Sequence, residues 1–211
     1  MTGTLGSPTV HDVARYILAR QDPSAERITN KKLQKLVYFA QGTTLAMLHR
    51  SLWDTTALGA RVTAYEQGPV VPDLWREYKP NGWNPLPIPS SVDLDALDAA
   101  SRAMIDAVLN TYGRMTADQL TRLTHAHDPW VKARAKAQKN PNDDVIAEPE
   151  LAAFFTRLLV GPNDPRALSP EQLSAAMRAR PEWVGEDARA AAEIAAGQGL
   201  SLEELRRFLD L

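Results

Sequence analysis

The chain has 211 residues, of which 44% are hydrophobic and 24% charged, with a formal net charge of -2 and no cysteine. That length fits one domain, or one of about 150 residues with an appendage, and the composition is that of a folded chain. The balanced charge supplies no overall positive field for a nucleic-acid backbone, and the absence of cysteine removes disulfides, thiol nucleophiles and thiolate metal sites together.

The N-terminus, MTGTLGSPTV, has neither a basic region nor an apolar run, and no apolar stretch of about 18 residues follows, so a soluble, cytoplasmic protein is expected. A first helix starts at Thr9, whose hydroxyl can cap free amides, with Asp12 in its first turn and Val10, Val13, Ala14, Ile17 and Leu18 as its buried stripe. A second runs from Thr29 to about Leu48. Leu33, Leu36, Val37, Ala40, Thr44 and Met47 mark one face and Tyr38, Gln41 and Leu45 another, which predicts the central helix of the fold.

Residues 57 to 65 alternate loosely and carry Val62, Thr63 and Tyr65, which favours a strand that the Gly68-Pro69 break ends. Pro72 suits the first turn of a short helix with Leu74, Trp75 and Tyr78 on its apolar side, stopped by Pro80. The prolines between 80 and 91 mark a stiff surface loop pinned by Trp83 and Leu86. A long helix is expected from Asp93 to Tyr112, with Leu94, Leu97, Met104, Ile105, Val108 and Leu109 inward and Gly113 as a left-handed stop. Thr116 and Gln119 form a capping box for a short helix holding Leu120 and Leu123.

Asp128 caps a further helix with Pro129 in its first turn and Trp130 packed beneath, and the polar run at 139 to 144 ends it. Val145 and Ile146 can add an edge strand before a helix opened by Glu148 and Pro149, with Leu151, Phe154, Phe155, Leu158 and Leu159 as its core face. The stretch GPNDP at 161 to 165 reads as a linker to two or three small helices, including those from Ser169 and Ser201. Residues 1 to 160 carry 18 basic and 17 acidic groups, whereas residues 161 to 211 carry 6 and 9, so the tail is mildly acidic.

No chemistry stands out. His125, His127 and Asp128 are fragments of a metal site without a third-ligand pattern, and the local helix start explains them better. There is no serine-nucleophile turn and no glycine-rich phosphate cradle. Glu66 beside the Gly68-Pro69 break is a carboxylate able to act as an acid or base, although hydrogen bonding to the turn's amides explains it better. No enzyme, metal or cofactor is expected. Lys31, Lys32 and Lys35 form one basic cluster and Lys132, Arg134, Lys136 and Lys139 another, able to meet an acidic partner if they converge. Among the tryptophans, Trp53, Trp75, Trp83, Trp130 and Trp183, the loop-like settings of Trp83 and Trp183 suit interface anchors, and Trp75 and Trp130 suit the core.

Three segments, ITNKKLQKLVYFAQG at 28 to 42, EQGPVVPDLWREYK at 66 to 79 and LTHAHDPW at 123 to 130, followed by VIAEPELAAFF at 145 to 155, together resemble the Panacea, or SocA-like, antitoxin domain. The resemblance covers about residues 9 to 160. It implies a mostly helical domain with a small sheet, found in bacterial and phage toxin–antitoxin operons, that neutralises a neighbouring toxin; one type of member delivers its toxin to a protease. The expected fold is therefore α+β and predominantly helical: a helical bundle around a central helix with a small antiparallel β element, over residues 1 to 160, plus a linker and C-terminal helical appendage over 161 to 211. The expected function is neutralisation of a cognate protein toxin by direct binding, with an adaptor for an ATP-dependent protease and a DNA-binding autorepressor as alternatives. No membrane partner is expected, nucleic acid is disfavoured, and homo-oligomerisation stays open. The residues assigned to partner binding are Lys31, Lys35, Trp83, Trp183, Arg206, Arg207 and Phe208, and those assigned to the scaffold are Glu66, Gly68, Pro69, Pro72, Trp75, His125, Asp128 and Trp130.

Overall fold

The structure, a computed structural model, describes residues 7 to 160. Seven helices and one hairpin follow in order within them: α1 Val10–Ala19, α2 Asn30–Leu48, β1 Thr63–Tyr65, β2 Gly68–Val70, α3 Pro72–Tyr78, α4 Ala99–Tyr112, α5 Ala117–His125, α6 Asp128–Ala137 and α7 Glu148–Val160. The expected α+β, mainly helical architecture is thus observed. The linker and appendage expected over 161 to 211, including Trp183, Arg206, Arg207 and Phe208, lie outside the described residues.

α2 is the axis. Every residue from Lys32 to Leu48 is buried, because α1, α3, α4, α5 and α7 all pack around it. Each large apolar side chain sealed this way contributes about 1.5–3 kcal/mol of transfer free energy, so the apolar residues spread around α2 make it the centre of the core. α7 approaches so closely that a Cβ on Gly42 would lie 2.3 Å from the Phe155 ring. Around that crossing Tyr38, Phe39, His127, Phe154 and Phe155 form an aromatic cluster with edge-to-face contacts, and Phe39 stacks on Tyr112 at 4.1 Å.

Local signals set several boundaries. Thr9 and Asp12 form a full capping box for α1, Thr29 caps α2, and Thr116 with Gln119 caps α5. Pro72 opens α3, where its missing N–H leaves no hydrogen bond unmade.

Other expectations need correction. The strand expected over 57 to 65 is a 3₁₀ turn at Leu58–Ala60 followed by only three strand residues. Gly68 and Pro69 do not end the strand; they form its antiparallel partner, with Tyr65 opposite Gly68 and Thr63 opposite Val70. The long helix expected from Asp93 is interrupted: a 3₁₀ turn at Leu94–Ala96 precedes an Asp98 cap, and Leu94 is exposed. Gly113 is right-handed, not left-handed, with φ -61°. Asp128 does not cap α6. His127 holds that position with no side-chain cap, and Asp128 faces solvent with an ion pair to Lys132. Val145 contributes one isolated bridge to Thr63 rather than a strand. The expected core face of α7 is trimmed too, since Leu158 is exposed.

Candidate partner-binding groove

The hairpin is where the three signature segments meet. Glu66 and Gln67 form its two-residue turn, and Gly68 follows with φ 100°, a left-handed value that closes such turns and that side-chain-bearing residues rarely adopt. Pro69 faces α2 with its carbonyl. Since a strand residue's N–H and C=O point the same way, the missing proline donor breaks no hydrogen bond to β1.

α2 grips this hairpin through its first turns. Asn30, Gln34 and Lys35 lie on one helix face, and each satisfies a backbone group between Pro69 and Trp75. The Gln34 Oε1 accepts the Val71 amide at 2.9 Å, and its Nε2 donates to Asn30 Oδ1 at 3.0 Å. Asn30 Nδ2 in turn donates to the Trp75 carbonyl at 3.2 Å, and Lys35 Nζ donates to the Pro69 carbonyl at 3.1 Å. This latch explains why the polar residues of NKKLQK accompany GPVVPDLW. With Val71 at the N-cap and lacking a side-chain cap, the buried amide would otherwise be unpaired.

The third segment braces the hairpin from outside. Trp130 Nε1 donates to the Tyr65 carbonyl at 3.0 Å, His125 stacks on the Trp130 ring at 4.1 Å and 7°, and Arg134 reaches the Ala64 carbonyl. His127 points inward instead, 3.1 Å from the Tyr38 hydroxyl, where burial pushes its pKa down to about 4. Burial likewise lowers His125, followed in effect by Lys35 and Lys31. The two imidazoles therefore serve different elements. Among the described residues no group of three His, Cys, Asp or Glu side chains could hold a metal ion.

Between the start of α2, the hairpin and α3 opens a groove of about 500 Å³. Tyr65, Val70, Trp75 and Trp83 give it a mainly apolar wall, and Asn30, Gln34 and Lys35 form its polar floor. Tyr65 and Trp75 meet edge to face at 6.0 Å, the Lys79 ammonium sits 4.9 Å from the Trp75 ring centre, and Trp83 is 75% exposed at the lip. Such an aromatic, partly open surface carries the residue types that anchor protein interfaces.

Of the residues assigned to partner binding, Lys31 and Trp83 do face this groove. Lys31 is ion-paired to Asp118 at 2.7 Å. Lys35 is 1% exposed, so it is not part of a solvated basic face, and burial followed by Lys31 brings its pKa down to about 7. Lys32 is buried too, donating to the Glu26 carbonyl, so the expected basic cluster is reduced to Lys31 at the surface. Glu66 corrects another reading. It is exposed at the turn and has no hydrogen-bond partner among the described residues, so the turn is shaped by Gly68 and not by a carboxylate. Trp75 is half-buried on the groove wall rather than in the core, whereas Trp53 is buried with its indole N–H on the Ala60 carbonyl. Asn30 and Gln34 escaped the sequence reading, although their four-residue spacing on a buried face was the available signal.

The described residues thus form a helical domain whose central helix clamps a small hairpin beside an open aromatic groove. Residues 33–131 match the family model described as antitoxin SocA-like, Panacea domain, a span that contains the second and third signature segments whole and part of the first. Over those residues the chain is similar to that family. It is similar to antitoxin SocA of Caulobacter vibrioides (strain NA1000 / CB15N), with 34% identity over 130 residues, covering 56% of this chain and 66% of that relative. The chain thus spans just under two thirds of that relative's length. No solved structure matches, and no helix among the described residues is long and apolar enough to cross a membrane.

Proposed function

We propose that this chain is an antitoxin that neutralises a cognate protein toxin by direct binding in the cytoplasm, as a binding protein and not an enzyme, and that the α2–hairpin–α3 groove forms part of the contact. The carrying observation is the groove itself: the family's signature residues converge on it, and it presents Trp83 largely to solvent beside Trp75. Aromatic anchors beside a pocket concentrate binding free energy, and truncating one costs at least about 2 kcal/mol of affinity at a hot spot.

The test is co-expression with the toxin encoded beside it. The wild-type chain restores growth and co-purifies with the toxin, whereas Trp83→Ala, at unchanged soluble level, weakens binding by roughly thirtyfold or more. A neighbour that is harmless alone, or lethal with the wild-type chain present, removes the reading. Full rescue by Trp83→Ala together with a Trp75→Ala variant would move the contact away from the groove.

A further inference from the structure

Lys35 is the feature of the groove that folding alone does not explain. Its ammonium has three donors, and among the described residues one is met, by the Pro69 carbonyl. Burying a cation with donors unmet is unfavourable, yet space is made for it. Gly68 lacks a side chain where a Cβ would come within 2.8 Å of both Lys35 Cε and Nζ. Lys35 lies at the floor of the groove, and Lys79 and Lys31, the latter ion-paired to Asp118, line it as well, against one acidic lining residue, Glu66. The buried ammonium of Lys35 is thus the charge at the centre of a recess with mainly apolar walls.

We propose that the groove receives an acidic segment of the protein partner, an Asp or Glu flanked by apolar residues, whose carboxylate accepts the free N–H donors of Lys35 while its neighbours pack on Tyr65, Trp75 and Trp83. This rests on the groove being the partner contact and adds what chemistry it selects. A carboxylate supplies the charge-assisted hydrogen bonds that the buried ammonium lacks, and the aromatic walls keep water from competing. The other titratable or charged groups facing Lys35 are Lys31 on the same helix, His125 from α5, and Glu66 at the hairpin turn, with Lys79 from beyond α3 across the groove.

The experiment titrates the full-length protein with two capped tripeptides, acetyl-Leu-Asp-Leu-amide and acetyl-Leu-Asn-Leu-amide, following tryptophan fluorescence, with sodium acetate as a third arm. The Asp peptide is expected to bind roughly tenfold or more tightly than its Asn counterpart at pH 6. That preference shrinks by pH 9, where the Lys35 amine has lost its proton, and vanishes in Lys35→Met, which keeps the affinity for the Asn peptide. Equal affinity for both peptides, no binding of either at millimolar concentration, or acetate competing as well as the Asp peptide each overturns the proposal. Toxin rescue by the wild-type chain alongside any of these results would sink the carboxylate inference and leave the antitoxin reading standing.

Discussion

Replacing Lys35 by methionine should make the protein more stable, which is unusual for a buried, hydrogen-bonded residue. Burial brings the lysine from 10.5 to about 7. At about 1.36 kcal/mol for each pKa unit, this difference means that the folded state carries up to about 5 kcal/mol of charging penalty at pH 6. The sign follows from proton uptake. Between about pH 7 and 10.5 the unfolded chain holds the proton that the folded chain has released, so wild-type stability rises with pH through that window and is lowest below 7. Methionine fills a similar volume and removes the penalty, but leaves the Pro69 carbonyl unpartnered, at about 1–3 kcal/mol. The expected net gain at pH 6 is about 2–4 kcal/mol. Because the wild-type penalty falls by about 3 kcal/mol between pH 6 and 9, the gain should shrink to about 1 kcal/mol or less by pH 9. Urea unfolding of both proteins at pH 6 and pH 9 measures this directly. A difference that does not change with pH, or a variant less stable at both, would refute the account of Lys35 as a charge held at the expense of stability. Functional sites commonly carry such a cost.

Gln34→Ala strands the buried Val71 amide and releases Asn30, so a loss of about 2–3 kcal/mol is expected in chemical denaturation, and a loss below 0.5 kcal/mol would mean the latch is incidental. Gly68→Ala combines a φ of 100° with a 2.8 Å approach to Lys35 Cε and Nζ and should destabilise by about 2 kcal/mol or more; pairing it with Lys35→Ala, which removes both atoms, should recover the steric part, readable as a thermodynamic coupling in the double-mutant cycle. His127, held neutral down to about pH 4, makes the fold acid-sensitive. The unfolded chain takes up its proton near 6.5 and the folded one only near 4, so stability falls by up to about 3 kcal/mol as pH drops through that window, and His127→Phe should flatten the profile in thermal melts taken from pH 7 to 4.

The sequence by itself determined what depends on neighbours along the chain. The caps at Thr9, Thr29 and Thr116, the proline start of α3 and the apolar residues on two faces of α2 are local facts, and each appears in the fold within a residue of its expected place. Three short signatures also carried the resemblance to the SocA-like family, whose model matches residues 33–131. Only the tertiary structure decided the hairpin and the groove. Gly68 and Pro69 read as a break along the chain, and they become a strand because α2 offers Gln34 and Lys35 to the backbone groups that β1 does not use. Glu66 read as the carboxylate that fixes the turn and is a solvated turn residue, while Lys35 read as surface charge and is the buried floor of the site. Helical periodicity gives the direction in which a side chain points but not what waits there, and that depends on contacts between residues 34 to 45 positions apart in the chain.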